Sequence, residues 1–222
     1  MTTIRPVELK CALCGALNEY HDFTRIKTFG AMDTEFRFYE DGGKPLEVYL
    51  QTCSECGYTH YNIENTPKNI IKTTDLINNF NKSEEFREKS MSLYKRYELV
   101  GRILILDRAM PEKIADTFLH AAWIAEDEKK VALAKSYRKE AANFLSKRLA
   151  RSKTITRRTD EHLFRLAEIY RRAGEFELSR EVHKKIRTEG LHSDLQMALA
   201  KIKLLLADGN SQKIMLEDIL DR

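Results

Sequence analysis

The feature that most constrains this chain is a repeated pattern of cysteines. Cys11-Ala12-Leu13-Cys14-Gly15 and Cys53-Ser54-Glu55-Cys56-Gly57 are two copies of Cys-x-x-Cys-Gly, with 38 residues between Cys14 and Cys53. Two residues between the thiols let a tight turn aim both sulfurs at one point. The glycine that follows frees the backbone to complete that turn. Two such knuckles supply four thiolates, the ligand set of a tetrahedral metal site. Cys11, Cys14, Cys53 and Cys56 are therefore the candidate ligands of a structural zinc ion. A four-thiolate zinc leaves no open position for water or substrate, so its role is to fold a segment too small to build its own core.

The same ligands could hold a single iron, as in rubredoxins. Zinc is preferred because the sequence offers no site for a redox partner. His21 and His60 lie near the cysteines, but four thiolates already fill the site, and both read as neighbouring or surface residues. Close thiol pairs read as metal ligands in a reducing compartment, where disulfides do not persist.

Charge divides the chain. Residues 1–66 hold 6 Lys+Arg against 10 Asp+Glu, a net of −4, while residues 67–222 hold 32 against 24, a net of +8. The acidic part contains all four cysteines and alternates as strands do: Phe36 and Phe38 against Glu35 and Arg37, then Val48 and Leu50 against Tyr49 and Gln51. Between these runs Gly42, Gly43 and Pro45 predict a hairpin loop over residues 40–45. Residues 1–66 thus read as a small zinc-ribbon β domain. From about Asp75 helical spacing takes over, broken near Pro111, Gly174, Gly190 and Gly209, which predicts five to seven helices over residues 67–222. The fold class is α+β, mostly α.

Residues 162–179 follow a tetratricopeptide pattern: Leu163, Leu166-Ala167, Tyr170, then Gly174-Glu175-Phe176 at the turn and the small Ser179. Phe118, Ala121, Ala122, Ala125 and Ala134 make a fainter copy upstream. Leu195, Ala198, Leu199 and Ile202 could open a third. Stacked helical hairpins leave a concave face suited to peptides, so a protein partner is the natural ligand. The alternative is a nucleic-acid surface on residues 147–158, where Lys147, Arg148, Arg151, Lys153, Arg157 and Arg158 are six basic residues in twelve with no acid. Such clustering suits phosphate tracking, but no aromatic is interleaved for base stacking.

Catalytic signatures are missing: no glycine-rich phosphate loop, no Gly-x-Ser-x-Gly and no His-Glu-x-x-His. His120 and Trp123 on an alanine-rich stripe read as a core histidine and a packing aromatic. No run approaches the roughly 18 apolar residues of a membrane span, and residues 1–10 lack an apolar export signal, so a cytoplasmic, non-enzymatic protein is expected.

The chain also resembles the bacterial 2225 family of domains of unknown function. The resemblance runs through the two Cys-x-x-Cys-Gly knuckles, Arg25, Asp33-Thr34-Glu35-Phe36, Pro45, Tyr49 and Tyr58, then Ala121-Ala122-Trp123 and Arg172-Ala173-Gly174. Ala12 and Ser54 stand where that family commonly has proline, and Thr59 where a small apolar residue is usual; neither departure removes a ligand. The resemblance implies a four-cysteine zinc ribbon followed by helices of tetratricopeptide character, with no settled biochemical role.

Overall fold

In the computed structural model, which describes residues 3–25, 30–39, 46–82, 91–151 and 157–220, each cysteine knuckle is the tip of a β-hairpin. Strands β1 (Thr3–Lys10) and β2 (Leu17–Arg25) pair antiparallel from Thr3 opposite Arg25 to Lys10 opposite Leu17, and the first knuckle connects them. Along β1 the half-buried Val7 and Leu9 alternate with the exposed Glu8 and Lys10, the two-residue period of a strand with one covered face. The second knuckle joins β3 (Gln51–Thr52) to β4 (Thr59–His60), with Thr52 opposite Thr59.

The hairpin expected across residues 36–50 is replaced by something else. Its loop, residues 40–45, lies outside the described residues. Its first arm is no ladder: Met32 and Phe38 share one isolated bridge, and Phe36 has a φ of 67°, which interrupts a strand. Asp33 enforces this bend, since its Oδ1 accepts the amides of Glu35 (2.9 Å) and Arg37 (3.0 Å). The second arm begins as a single 3-10 turn, Leu46–Val48. The alternation of Phe36 and Phe38 has another cause. Residues 30–39 form a finger whose tip, Asp33, Thr34 and Glu35, is wholly buried, while Phe36 stacks on Phe164 of a distant helix at 5.9 Å.

The helices are α1 (Ile70–Asn81), α2 (Leu93–Leu106), α3 (Pro111–Asp127), α4 (Val131–Ala150), α5 (Arg157–Ala173), α6 (Phe176–His183), α7 (Ser193–Ala207) and the single turn α8 (Glu217–Leu220). Mostly helical with a small antiparallel β part, the fold matches the class read from the sequence. Asn69 caps α1 by accepting the Lys72 amide, and Pro111 opens α3, where a missing N–H costs nothing. Gly174 ends α5 at a φ of 84°, and the Glu175 amide returns to the Tyr170 carbonyl at 2.9 Å. The turn this makes lets α6 cross α5 closely, with the Ser179 hydroxyl donating to the Ala167 carbonyl at 2.6 Å.

Two hydrophobic clusters result among the described residues. The larger runs through α2 to α7. The smaller joins the knuckles to the helices: Cys11, Cys53, Tyr58 and Ile63 bury themselves against Ile77 of α1 and Leu99 and Ile103 of α2. No helix among the described residues is long and apolar enough to cross a membrane.

Candidate metal centre

The two knuckles are built alike. In the first, the Gly15 amide donates to the Cys11 carbonyl (2.9 Å) and the Cys11 amide to Ala16 (2.8 Å); in the second, Gly57 donates to Cys53 (3.0 Å) and Cys53 to Tyr58 (2.8 Å). Both glycines sit in the left-handed region, at φ 78° and 75°. These turns face each other. The Sγ atoms of Cys11, Cys14, Cys53 and Cys56 all lie within 4.8 Å of one another. Cys11 approaches Cys56 at 3.7 Å and Cys14 approaches Cys53 at 3.5 Å. Four thiolates at about 2.3 Å from a central ion would stand about 3.8 Å apart, and the two closest contacts here are near that spacing. The four are positioned to hold a metal ion.

The thiols differ in how readily they ionise, and burial holds Cys56 far above its ordinary value. Burial pushes the Cys53 thiol up, but the amides of Cys56 and Glu55, together with hydrogen bonds from the Cys14 and Cys56 thiols, outweigh it and bring the group down to about 7. For Cys11 burial wins over the amides of Cys14 and Leu13, and its thiol is raised. Asn18 links one knuckle to the other. Its Nδ2 donates to Ala16 (3.0 Å) and toward Cys53 Sγ (3.6 Å), while its Oδ1 accepts the Ser54 amide (2.9 Å) and hydroxyl (3.0 Å). The Tyr20 hydroxyl, donating to the Thr52 carbonyl at 3.0 Å, ties the two hairpins together a second time.

His60 is no ligand; its Nδ1 lies 2.8 Å from the Asn62 carbonyl and its ring stacks on Tyr58. His21 is exposed on β2 and outside the sulfur cluster. The basic segment is only partly placed. Lys147 lies over the Phe144 ring (4.7 Å), Arg148 pairs with Glu112 (3.2 Å), and Arg151 is exposed at the end of α4. Lys153 lies outside the described residues. Arg157 and Arg158 open α5, and their side chains are not among those described.

Sequence reasoning missed a second polar centre. Glu35, at the tip of the finger, accepts Arg138 Nε and Nη2 (2.8 and 2.9 Å), the Trp123 indole (2.9 Å) and Arg172 Nη1 (3.2 Å), all buried. Glu126 bridges the same two arginines from the rim. Beside them Thr34 donates to Glu168 (2.6 Å), which pairs with the buried Arg171. Burial alone would raise the Glu35 carboxyl, but Arg138 and Arg172 hold it down at about 2. Asp33 goes the other way: burial and then the charge of Glu35 push it up to about 6. The network fixes the finger between α3, α4 and α5. Removing one partner of such a pair typically costs about 3–5 kcal/mol, because the other charge stays buried alone. Trp123 therefore packs as expected, with its N–H also spent on Glu35.

A family described as "Uncharacterized protein conserved in bacteria (DUF2225)" matches residues 8–206. The chain belongs to that family. The matched span takes in both knuckles, the finger and every helix from α1 to α6. No curated protein and no solved structure matches.

Proposed function

We propose that this member of the family is a non-enzymatic, zinc-binding adaptor that works in the cytoplasm and presents its helical body to a protein partner. The observation that carries the reading is the convergence of Cys11, Cys14, Cys53 and Cys56 into a shell with sulfur contacts of 3.5 and 3.7 Å. Sulfur ligation in a tetrahedral shell favours zinc among abundant cellular metals. When bound, zinc would supply four strong bonds and no vacant position. What the chain's own residues do is hold the shell: Asn18 fixes the second knuckle, and Tyr58 and Ile63 anchor it to α1 and α2. The α5–α6 hairpin, with Gly174 at its turn and Ser179 at its crossing, has tetratricopeptide character, and stacks of such hairpins bind peptides.

The test has two arms. Metal analysis of the native protein should give about one zinc per chain, in a colourless preparation, for a four-thiolate site; iron with visible absorption would replace the adaptor with an electron carrier. Quantitative co-purification from native cells should then enrich a defined protein with the wild-type chain. Enrichment of nucleic acid, sensitive to salt, would instead favour the basic segment.

A further inference from the structure

After α7 the chain turns at Gly209, which sits at a φ of 60°, and residues 210–217 cross the finger as a strap. Met215 stands opposite Asp33 in an antiparallel bridge. The Thr34 amide donates to the Ile214 carbonyl at 3.2 Å and the Leu216 amide to the Met32 carbonyl at 2.8 Å. Arg171 of α5 completes the grip. Fully buried and paired with Glu168, its guanidinium donates to the carbonyls of Asn210 (2.6 Å) and Gln212 (2.7 Å).

These bonds go to main chain, so they would hold any extended segment, and side chains supply the selectivity. Ile214 and Leu216, two residues apart as on one face of a strand, are buried in the larger hydrophobic cluster. Lys213 Nζ lies 4.1 Å from the Tyr39 ring centroid, and Glu217 Oε1 accepts the Met32 amide at 3.0 Å. The strap therefore has the contacts of a bound peptide, in the pattern basic, aliphatic, any, aliphatic, acidic.

Its hold on the rest of the chain is narrow. The strap stands off α7 over a cleft of about 260 Å³. It lies beyond residues 8–206, the span matched to the family. Among the described residues its ladder with the finger is one bridge with two backbone bonds. Lifting it away with nothing in its place would strip the Asn210 and Gln212 carbonyls from the buried Arg171 guanidinium, and a buried charged donor without an acceptor is costly. The site thus favours exchange of one segment for another over an empty state.

From these observations we infer that the finger edge and Arg171 form the adaptor's docking site, that residues 210–217 occupy it in the resting chain, and that a partner's extended segment of the same pattern displaces them. The assignment rests on the adaptor reading and gives it a place and a partner chemistry.

The probe is a fluorescein-labelled peptide of residues 209–220, titrated by anisotropy against the full-length protein. In wild type the tethered strap competes, and binding should be weak. In Ile214→Ser with Leu216→Ser, checked for folding by circular dichroism, the same peptide should bind saturably and at least about tenfold more tightly. A peptide with aspartate at the two aliphatic positions should not bind. Hydrogen exchange of the wild-type chain, read by NMR, tests the opening without any variant: the Thr34 and Leu216 amides should share one protection, lower than that of α5. No saturable binding by the folded double variant, equal binding of the aspartate peptide, or Thr34 and Leu216 protection equal to that of α5 would overturn the site. The adaptor reading fails separately: a protein that co-purifies equally with wild type and double variant leaves it standing and removes only the strap site, while a wild-type chain that enriches no protein removes the reading itself.

Discussion

Asn18 shows how a single side chain can matter to the metal without touching it. It holds the second knuckle from the first hairpin, through Ser54 and toward the Cys53 sulfur. Asn18→Ala should keep the fold yet weaken metal retention by about 10- to 100-fold, read by competition with a chromophoric chelator; unchanged retention would show that the knuckle holds itself. Two buried titrating groups make a second residue-scale prediction, with opposite signs. Asp33, raised to about 6, favours the folded state while protonated, so its contribution is present below about pH 4 and is lost as pH rises through 6. His183 is buried on α6, and neither ring nitrogen has a hydrogen-bond partner among the described residues. Burial and then Lys203 lower it to about 4, so stability falls as pH drops from about 6.5 toward 4, by up to about 3 kcal/mol. Because the two oppose each other, the informative quantity is wild type minus variant. In urea denaturation from pH 4 to 7, Asp33→Asn should gain on wild type as pH rises, and His183→Phe should gain as pH falls. Parallel curves would contradict both. The cysteines were legible because spacing alone dictates their chemistry. Glu35 was not, because its alternation with Phe36 and Phe38 reads as the solvent face of a strand until Arg138 and Arg172, 103 and 137 residues later, fold onto it.

At the scale of elements, helix ends written in glycine and proline could be read directly: Pro111 opens α3, while Gly174 and Gly209 follow α5 and α7 in the left-handed conformation. The stop written at Lys129 could not, and the one at Arg108 is legible only through the proline that follows it. Lys129 separates α3 from α4 at a φ of 63°, with the Lys130 amide returning to the Ala125 carbonyl at 2.8 Å, and Arg108 does the same after α2 at 52°. These are glycine-type stops occupied by side chains, which cost about 1 kcal/mol each. Lys129→Gly should therefore stabilise the protein by about that amount in thermal or urea unfolding; a loss of stability would mean that the Lys129 side chain makes a contact worth more than the strain. The β part misled in the opposite way. Phe36 and Phe38 have strand periodicity, yet they serve a finger that plugs a helical core, and alternation reports only that one side is covered.

Across the whole molecule, the metal shell and the helices share a boundary. Cys53 and Tyr58 bury themselves against Ile77, Leu99 and Ile103, so losing the shell should release more than the hairpins. Cys53→Ser should lose its metal and the protection of the hairpins and α1, while α3 to α6, held by the larger cluster and the Glu35 network, persist. Hydrogen exchange resolves the two regions, and uniform protection in the variant would mean that the sulfurs do not organise this end of the chain. The account as a whole turns on the coordination of one ion. X-ray absorption at the metal edge of the native, full-length protein measures that directly. Four sulfur scatterers at about 2.3 Å and no lighter neighbour is the predicted spectrum, and an oxygen or nitrogen atom in the inner shell, or no bound metal, would contradict it.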